Sequence, residues 1–288
     1  MSDSIHSRAM LVSLNISTWT ARKFDKRISE EVNRQHAASH DAGRYNKMLL
    51  PGDAAAYKAL VKAAGLARTE HYANTLAWAD DGWRLLPSAN YMEYTAIMRK
   101  HSATFDTALA EFVAAYPEMR EAARTHLNGM YRDSDYPSAG EIGARFRFGI
   151  EFSPLPASGD FRLDLPAGEV AEIEARVQDR VRQATEAAMQ DAWTRLADSV
   201  GKMRERLAEP GAIFRDSLIT NVQDIVDVLA RLNVTDDPAL ENMRQRVKAD
   251  LAAVDPQTLR DAPDVREDTA RKAQGILDAM AGVYGGQR

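Results

Sequence analysis

His36, His40 and Asp41 are the first residues whose types and spacing can do chemistry. On a helix, an i, i+4 pair of imidazoles points to one side, and a neighbouring carboxylate can complete a divalent-metal site. The hydrolytic form of that motif carries a glutamate directly after the first histidine, and here Ala37 stands in its place. The expectation is therefore of exposed histidines near the negative end of a helix, where a cation is favoured. Asp133 and Asp135 in YRDSDYP offer a second acidic turn, for a divalent ion or for water. Glu30-Glu31 and Asp80-Asp81 are adjacent in sequence, diverge on a helix, and make no acid/base pair by themselves. His71 and His126 stand alone and are expected as hydrogen-bonded surface residues.

The remaining catalytic machinery is missing from the sequence. GDAAAYK, GEIGARF and GVYGGQR bear glycines but neither the phosphate-loop lysine nor the three-glycine dinucleotide pattern. There is no G-x-S-x-G elbow, and zero cysteines remove thiolate nucleophiles, thiolate metal sites and disulfides together. No catalytic residue, cofactor or metal is assigned, and the expected class is non-enzymatic.

Binding chemistry is better represented. Between Trp19 and Lys47 seven basic residues face four acidic ones. Trp19, Arg22, Lys23, Arg44, Tyr45 and Lys47 are the candidate contacts for single-stranded nucleic acid, combining stacking rings with phosphate-binding cations. The competing reading is an ordinary amphipathic strand and helix, with the charges in water and Trp19 packed at their junction. A net charge of −5 supplies no global attraction for phosphate, so any such contact is local.

The elements that carry these residues follow from periodicity. Val12, Leu14 and Ile16 alternate with polar residues, which predicts a short strand. Phe24, Ile28 and Val32 recur every four residues, predicting a helix from about Arg22 to His40, capped by Thr18 or Thr20. After a loop around 41–51, Tyr57, Leu60, Val61, Ala64 and Ala67 predict a second helix, weakened by Gly65. Tyr91 to Val113 keep helical phase up to Pro117, which is expected to start a new short helix to about Leu127. Phe146, Phe148, Ile150 and Phe152, then Phe161, Leu163 and Leu165, alternate with polar residues and predict a β-hairpin over 145–165. With the first strand it would make a small three-stranded antiparallel sheet.

Gly168 to Ala208 holds no proline and reads as one rod roughly 60 Å long at 1.5 Å per residue. Its stripe contains Val177, Val181, Ala184, Ala188, Trp193 and Leu196, first at eleven-residue offsets and then at three and four, a weak coiled-coil pattern. The stripe is the candidate partner-binding surface, either for another protein or for a second copy. Helices from Phe214, Leu240 and Ala270 onward predict an antiparallel bundle after Glu209-Pro210-Gly211, with the tail GVYGGQR frayed.

The predicted fold class is thus mainly α with a small antiparallel sheet, an elongated helical bundle with one long helix. The division is an α+β domain over 1–165 and the long helix with its bundle over 166–288. The 288 residues, 45% apolar, suffice for a real core. No leader-like N-terminus and no apolar run of membrane-spanning length is visible, so the expected location is the cytoplasm, the host's if phage-encoded.

LVSLNISTWTARKFDKRISEEV with GRYNKMLLP, together with RFRFGIEFSPLP and the long helix behind it, resembles an uncharacterised domain family of tailed bacteriophages, prophages and plasmids. The resemblance covers about the first 210 residues and brings no catalytic residues. It implies an accessory role beside a MoxR-type AAA+ ATPase, a von Willebrand-type partner, or phage recombination and single-strand-binding genes. The first functional expectation is accordingly a helical scaffold or adaptor for such a partner. Its alternative is a single-strand-binding or annealing protein.

Overall fold

Residues 9–17, AMLVSLNIS, form strand β1 (Ala9–Ser17) in a computed structural model that describes residues 5–79, 82–157, 166–209 and 211–284. A single turn of helix, α1 (Ile5–Arg8), precedes it. Residues 9–13 of β1 are mostly covered on both faces, and the in-out alternation shows only from Leu14 onward. The chain continues through β2 (Arg22–Phe24), α2 (Lys26–Gln35), β3 (Asn46–Met48), α3 (Ala55–Ala73), β4 (Leu76–Ala77), β5 (Trp83–Pro87), α4 (Tyr91–Leu127) and β6 (Arg147–Ser153). Then come α5 (Ala167–Ala208), α6 (Ser217–Leu232), α7 (Pro238–Val247), α8 (Pro256–Asp261) and α9 (Pro263–Tyr284).

The main sheet runs β4-β5-β1-β6, with β5 antiparallel to both β1 and β4. The fold class is therefore mainly α with a small antiparallel sheet and one long helix. The sheet is not the expected three-stranded one, because WRLLP supplies a strand that alternation cannot reveal: Leu85 and Leu86 are both buried. The first strand of the expected hairpin is β6, and the second, 161–165, lies outside the described residues. A further ribbon, β2-β3, stands apart. Pro117 does not start a new helix. It sits within α4, which runs unbroken for 37 residues, while the neighbouring Tyr116 is fully buried.

The chain forms two compact units, each discontinuous in sequence. Unit 1 comprises Met1–Ser13, His71–Thr95 and Glu151–Arg288, and unit 2 comprises Leu14–Glu70 and Ala96–Ile150. The expected boundary at 165/166 falls within unit 1.

Unit 1 is organised on α5. Ala188, Ala192, Trp193, Leu196, Val200, Met203 and Leu207 follow three- and four-residue spacing, and they pack with Val222, Val226 and Leu229 of α6 and with Ala273, Ile276 and Met280 of α9. Prolines at the first positions of α7 and α8 follow Asp237 and Asp255, whose carboxylates accept the amide hydrogens of Ala239 and Thr258 at 2.9 and 2.8 Å. Trp193 Nε1 donates to the other oxygen of Asp237 at 3.0 Å, tying the long helix to the start of α7.

Unit 2 is built on α3 and the second part of α4. Leu60, Ala63 and Ala64 meet Phe105, Phe112 and Tyr116, with Phe146 against Phe112 at 5.3 Å between ring centroids. Trp19 completes the aromatic cluster, edge-on to Tyr57 and Tyr116 at 6.3 and 6.0 Å.

Candidate nucleic-acid interface

The chain leaves β1 through Ala21, a buried residue in the left-handed region (φ 51°), and enters β2 rather than the predicted helix. β2 pairs antiparallel with β3 in the register Arg22 with Met48, Lys23 with Lys47 and Phe24 with Asn46. The helix begins only after Asp25, whose carboxylate caps it by accepting from the Ile28 amide at 3.1 Å.

The face that α2 buries is also not the predicted one. Ser29 and Asn33 are buried, whereas Phe24 and Val32 are exposed. The reason is hydrogen bonding of the following loop. Ser29 Oγ donates to the Asp25 carbonyl at 2.7 Å and accepts from the Tyr45 amide at 2.9 Å. Asn33 Nδ2 donates to the carbonyls of His40 and Gly43 at 3.0 and 3.3 Å. A Cβ at Gly43 would lie 2.9 Å from Asn33 Oδ1, so any larger residue there would push the Asn33 amide out of place. A polar seam thus holds the loop down, Phe24 and Val32 face water, and Ile28 is half-buried.

A two-stranded ribbon is marginal alone, and this one is anchored at its ends. Leu49 N donates to the Ala21 carbonyl at 2.8 Å, and the buried Tyr136 hydroxyl donates to the Leu49 carbonyl at 2.6 Å. In the middle, Lys47 is only 2% exposed. Its ammonium donates to the Met130 carbonyl at 2.8 Å and pairs with Asp135 at 2.6 Å and Asp25 at 3.5 Å. Burial pushes the Asp25 carboxyl up. The Ile28 amide and the Lys47 charge outweigh it and hold the group below its ordinary range.

With alternate residues on alternate faces, Arg22, Phe24, Asn46 and Met48 share one side of the ribbon, and all four are exposed. Arg44, two residues before Asn46, places its guanidinium 4.6 Å from the centre of the Phe24 ring. Lys23 is exposed on the opposite side of the ribbon, across from Lys47; Tyr45 is exposed next to Arg44, and Lys26 and Arg27 are exposed and make long ion pairs with Glu30 and Glu31 at 3.6 and 3.7 Å. The arrangement offers cations, a stacking ring, an amide and a thioether on one open surface. No protein-family model, curated protein or solved structure matches this chain. The site is therefore read from its own geometry.

Of the six residues singled out in the sequence, Arg22, Lys23, Arg44 and Tyr45 are exposed; Arg22 lies on the Phe24 side of the ribbon, Arg44 stacks on Phe24, and Lys23 lies on the opposite side. Trp19 is packed in the aromatic cluster, its carbonyl accepting from Tyr57 Oη at 3.0 Å. Lys47 is consumed by its two aspartates. Phe24, Asn46 and Met48 escape sequence reasoning, since three-residue strands leave no periodic signal and Phe24 fits an apolar helix stripe equally well.

The second half of the α5 stripe is used inside the chain, while Val177 and Val181 line an open hollow with Ile5. Val181, Ala184, Ala188, Trp193 and Leu196 are buried within the chain, and Val177 is half-buried. Ala188, Trp193 and Leu196 belong to the unit 1 core, so they offer no free surface to a partner. His36 and His40 do not share a helical face, because α2 ends at Gln35. Asp133 accepts from Arg120, Arg124 and the Tyr131 hydroxyl at 2.8–3.1 Å, and its carboxyl is lowered chiefly by the Tyr131 hydrogen bond. His71 is buried rather than at the surface, sharing a 2.8 Å hydrogen bond with the Tyr94 hydroxyl. Asp80-Asp81 and the last four residues of the tail lie outside the described residues. Among the described residues, no helix is long and apolar enough to cross a membrane.

Proposed function

We propose that this protein is a non-catalytic binding protein that holds single-stranded nucleic acid on the β2-β3 ribbon of unit 2. The observation that carries the reading is the exposed face of Arg22, Phe24, Asn46 and Met48, with Arg44 stacked on Phe24. Stacking on a ring face tolerates any base, and flanking cations follow the backbone, so such a surface selects single strands with little sequence preference. The six exposed cations between Arg22 and Arg44 outnumber the exposed carboxylates of that segment, Glu30, Glu31 and Asp41, since Asp25 is buried.

The adaptor reading placed its partner on the α5 stripe, of which Ala188, Trp193 and Leu196 are core residues of unit 1; a MoxR-type ATPase as that partner is what the sequence resemblance suggests. An accessory role in a mobile element remains the setting that the sequence resemblance suggests, and it suits a strand-binding protein. Fluorescence anisotropy of a labelled oligothymidylate of about 15 nucleotides, titrated at two salt concentrations, tests the proposal. Saturable binding that weakens steeply with salt supports it, and no binding at low salt overturns it.

A further inference from the structure

Beside the ribbon, unit 2 has an open hollow of about 380 Å³ whose walls include Phe24, Lys26, Arg27 and Arg132. Its floor is formed by Asp25, Lys47 and Asp135. Two carboxylates in a floor would ordinarily favour a cation. Here the Lys47 ammonium already occupies that role, pairing with both; one carboxylate charge of the floor is left over, and the four lining cations still outnumber the three lining acids.

Three of the five residues outside the floor are cations, and Glu30 is the one acid among them. Lys26 and Arg27 make only long, exposed pairs with Glu30 and Glu31, which a better anion can displace. Arg132 is exposed and makes no ion pair among the described residues. A planar guanidinium without a carboxylate is suited to bidentate contact with a phosphate.

We propose that this hollow is a phosphate subsite, with Arg132 and Arg27 as its cationic ligands and Phe24 as the apolar wall beside the adjoining base or sugar. It extends the proposed strand path beyond the ribbon and rests on that reading. The shared chemistry is a nucleotide phosphate, whether within a strand or on a free nucleotide. Arg132 lies far from β2 and β3 along the sequence, and only the fold brings it to the same hollow as Phe24 and Arg27.

The test uses the full chain and two small probes, thymidine 5′-monophosphate and unphosphorylated thymidine, followed by NMR of arginine Nε and phenylalanine ring signals. The monophosphate is expected to give saturable shifts at Arg132 and Phe24 that thymidine does not. Arg132→Gln, an exposed substitution, is expected to weaken that binding about tenfold, the effect of removing one charge-assisted hydrogen bond. Absence of saturable shifts, equal shifts with thymidine, or unchanged affinity in Arg132→Gln overturns the subsite. Arg22→Gln separates the two readings, since Arg22 does not line the hollow: its loss should weaken oligothymidylate binding and leave the mononucleotide response intact. Failure of the wild type to bind oligothymidylate counts against the ribbon alone, and the mononucleotide result still judges the hollow.

Discussion

Lys47 Nζ lies 2.6 Å from Asp135 Oδ2, and the two side chains are 2% and 9% exposed. The pair joins β3 to the turn at Asp133–Asp135, and Asp25 extends it to the first turn of α2. The position of the exposed ribbon thus depends on a charge that never meets solvent.

Replacing that charge should be costly. Lys47→Met leaves two carboxylates buried without their cation and is expected to destabilise unit 2 by about 3–5 kcal/mol. Adding Asp135→Asn should recover part of the loss. Urea denaturation followed by tryptophan fluorescence checks this, and a change below about 1 kcal/mol would contradict it.

Acid acts in two separate windows, one set by His71 and a lower one to which Asp25 belongs. Burial, with a smaller effect from Arg84, pushes His71 down from 6.5 to about 4, so the folded chain keeps it neutral while the unfolded chain protonates. Between those values the unfolded state binds more protons, and stability therefore falls as pH drops from 6.5 toward 4. The lowered Asp25 works in a lower window: its contribution is present above the ordinary 3.8 and is lost as pH falls through its folded value. Denaturation midpoints measured at intervals from pH 7 to pH 3 should decline in the first window for the wild type. His71→Gln should lose that first decline and keep the second.

The long helix makes its contribution inside the fold. Leu196 is fully buried in the unit 1 core, and Leu196→Ala is expected to cost about 2–5 kcal/mol. Ala188→Glu should unfold unit 1 instead of separating subunits, because the new charge has no partner there. Circular dichroism and light scattering on the same samples decide it. A folded variant with a halved mass would restore the stripe as an interface between copies.

Elements with a long, regular period were legible in the sequence. The reading of α5 as Gly168–Ala208 differs by one residue from the observed Ala167–Ala208, and the last helices were located by their apolar repeats. The use of that stripe was not legible, because periodicity shows which face is buried and not against which segment. Short elements failed for the opposite reason. β2 and β3 have three residues each, and the polar anchors Ser29 and Asn33 read as solvated positions on an amphipathic helix. Lys47, Asp25 and Asp135 form one cluster only through tertiary structure, so the sequence offered Lys47 as a surface cation and Asp135 as an ion ligand.

Strand binding by the ribbon is tested most directly by comparing the wild type with Arg22→Gln/Arg44→Gln for oligothymidylate affinity across a salt series. The wild type should bind with a logarithmic salt slope that the double variant flattens by about 1–1.5, close to 0.7 for each phosphate-binding cation removed, with the fold unchanged by circular dichroism. An identical slope and affinity in the two proteins would contradict the assignment of the ribbon as the binding surface.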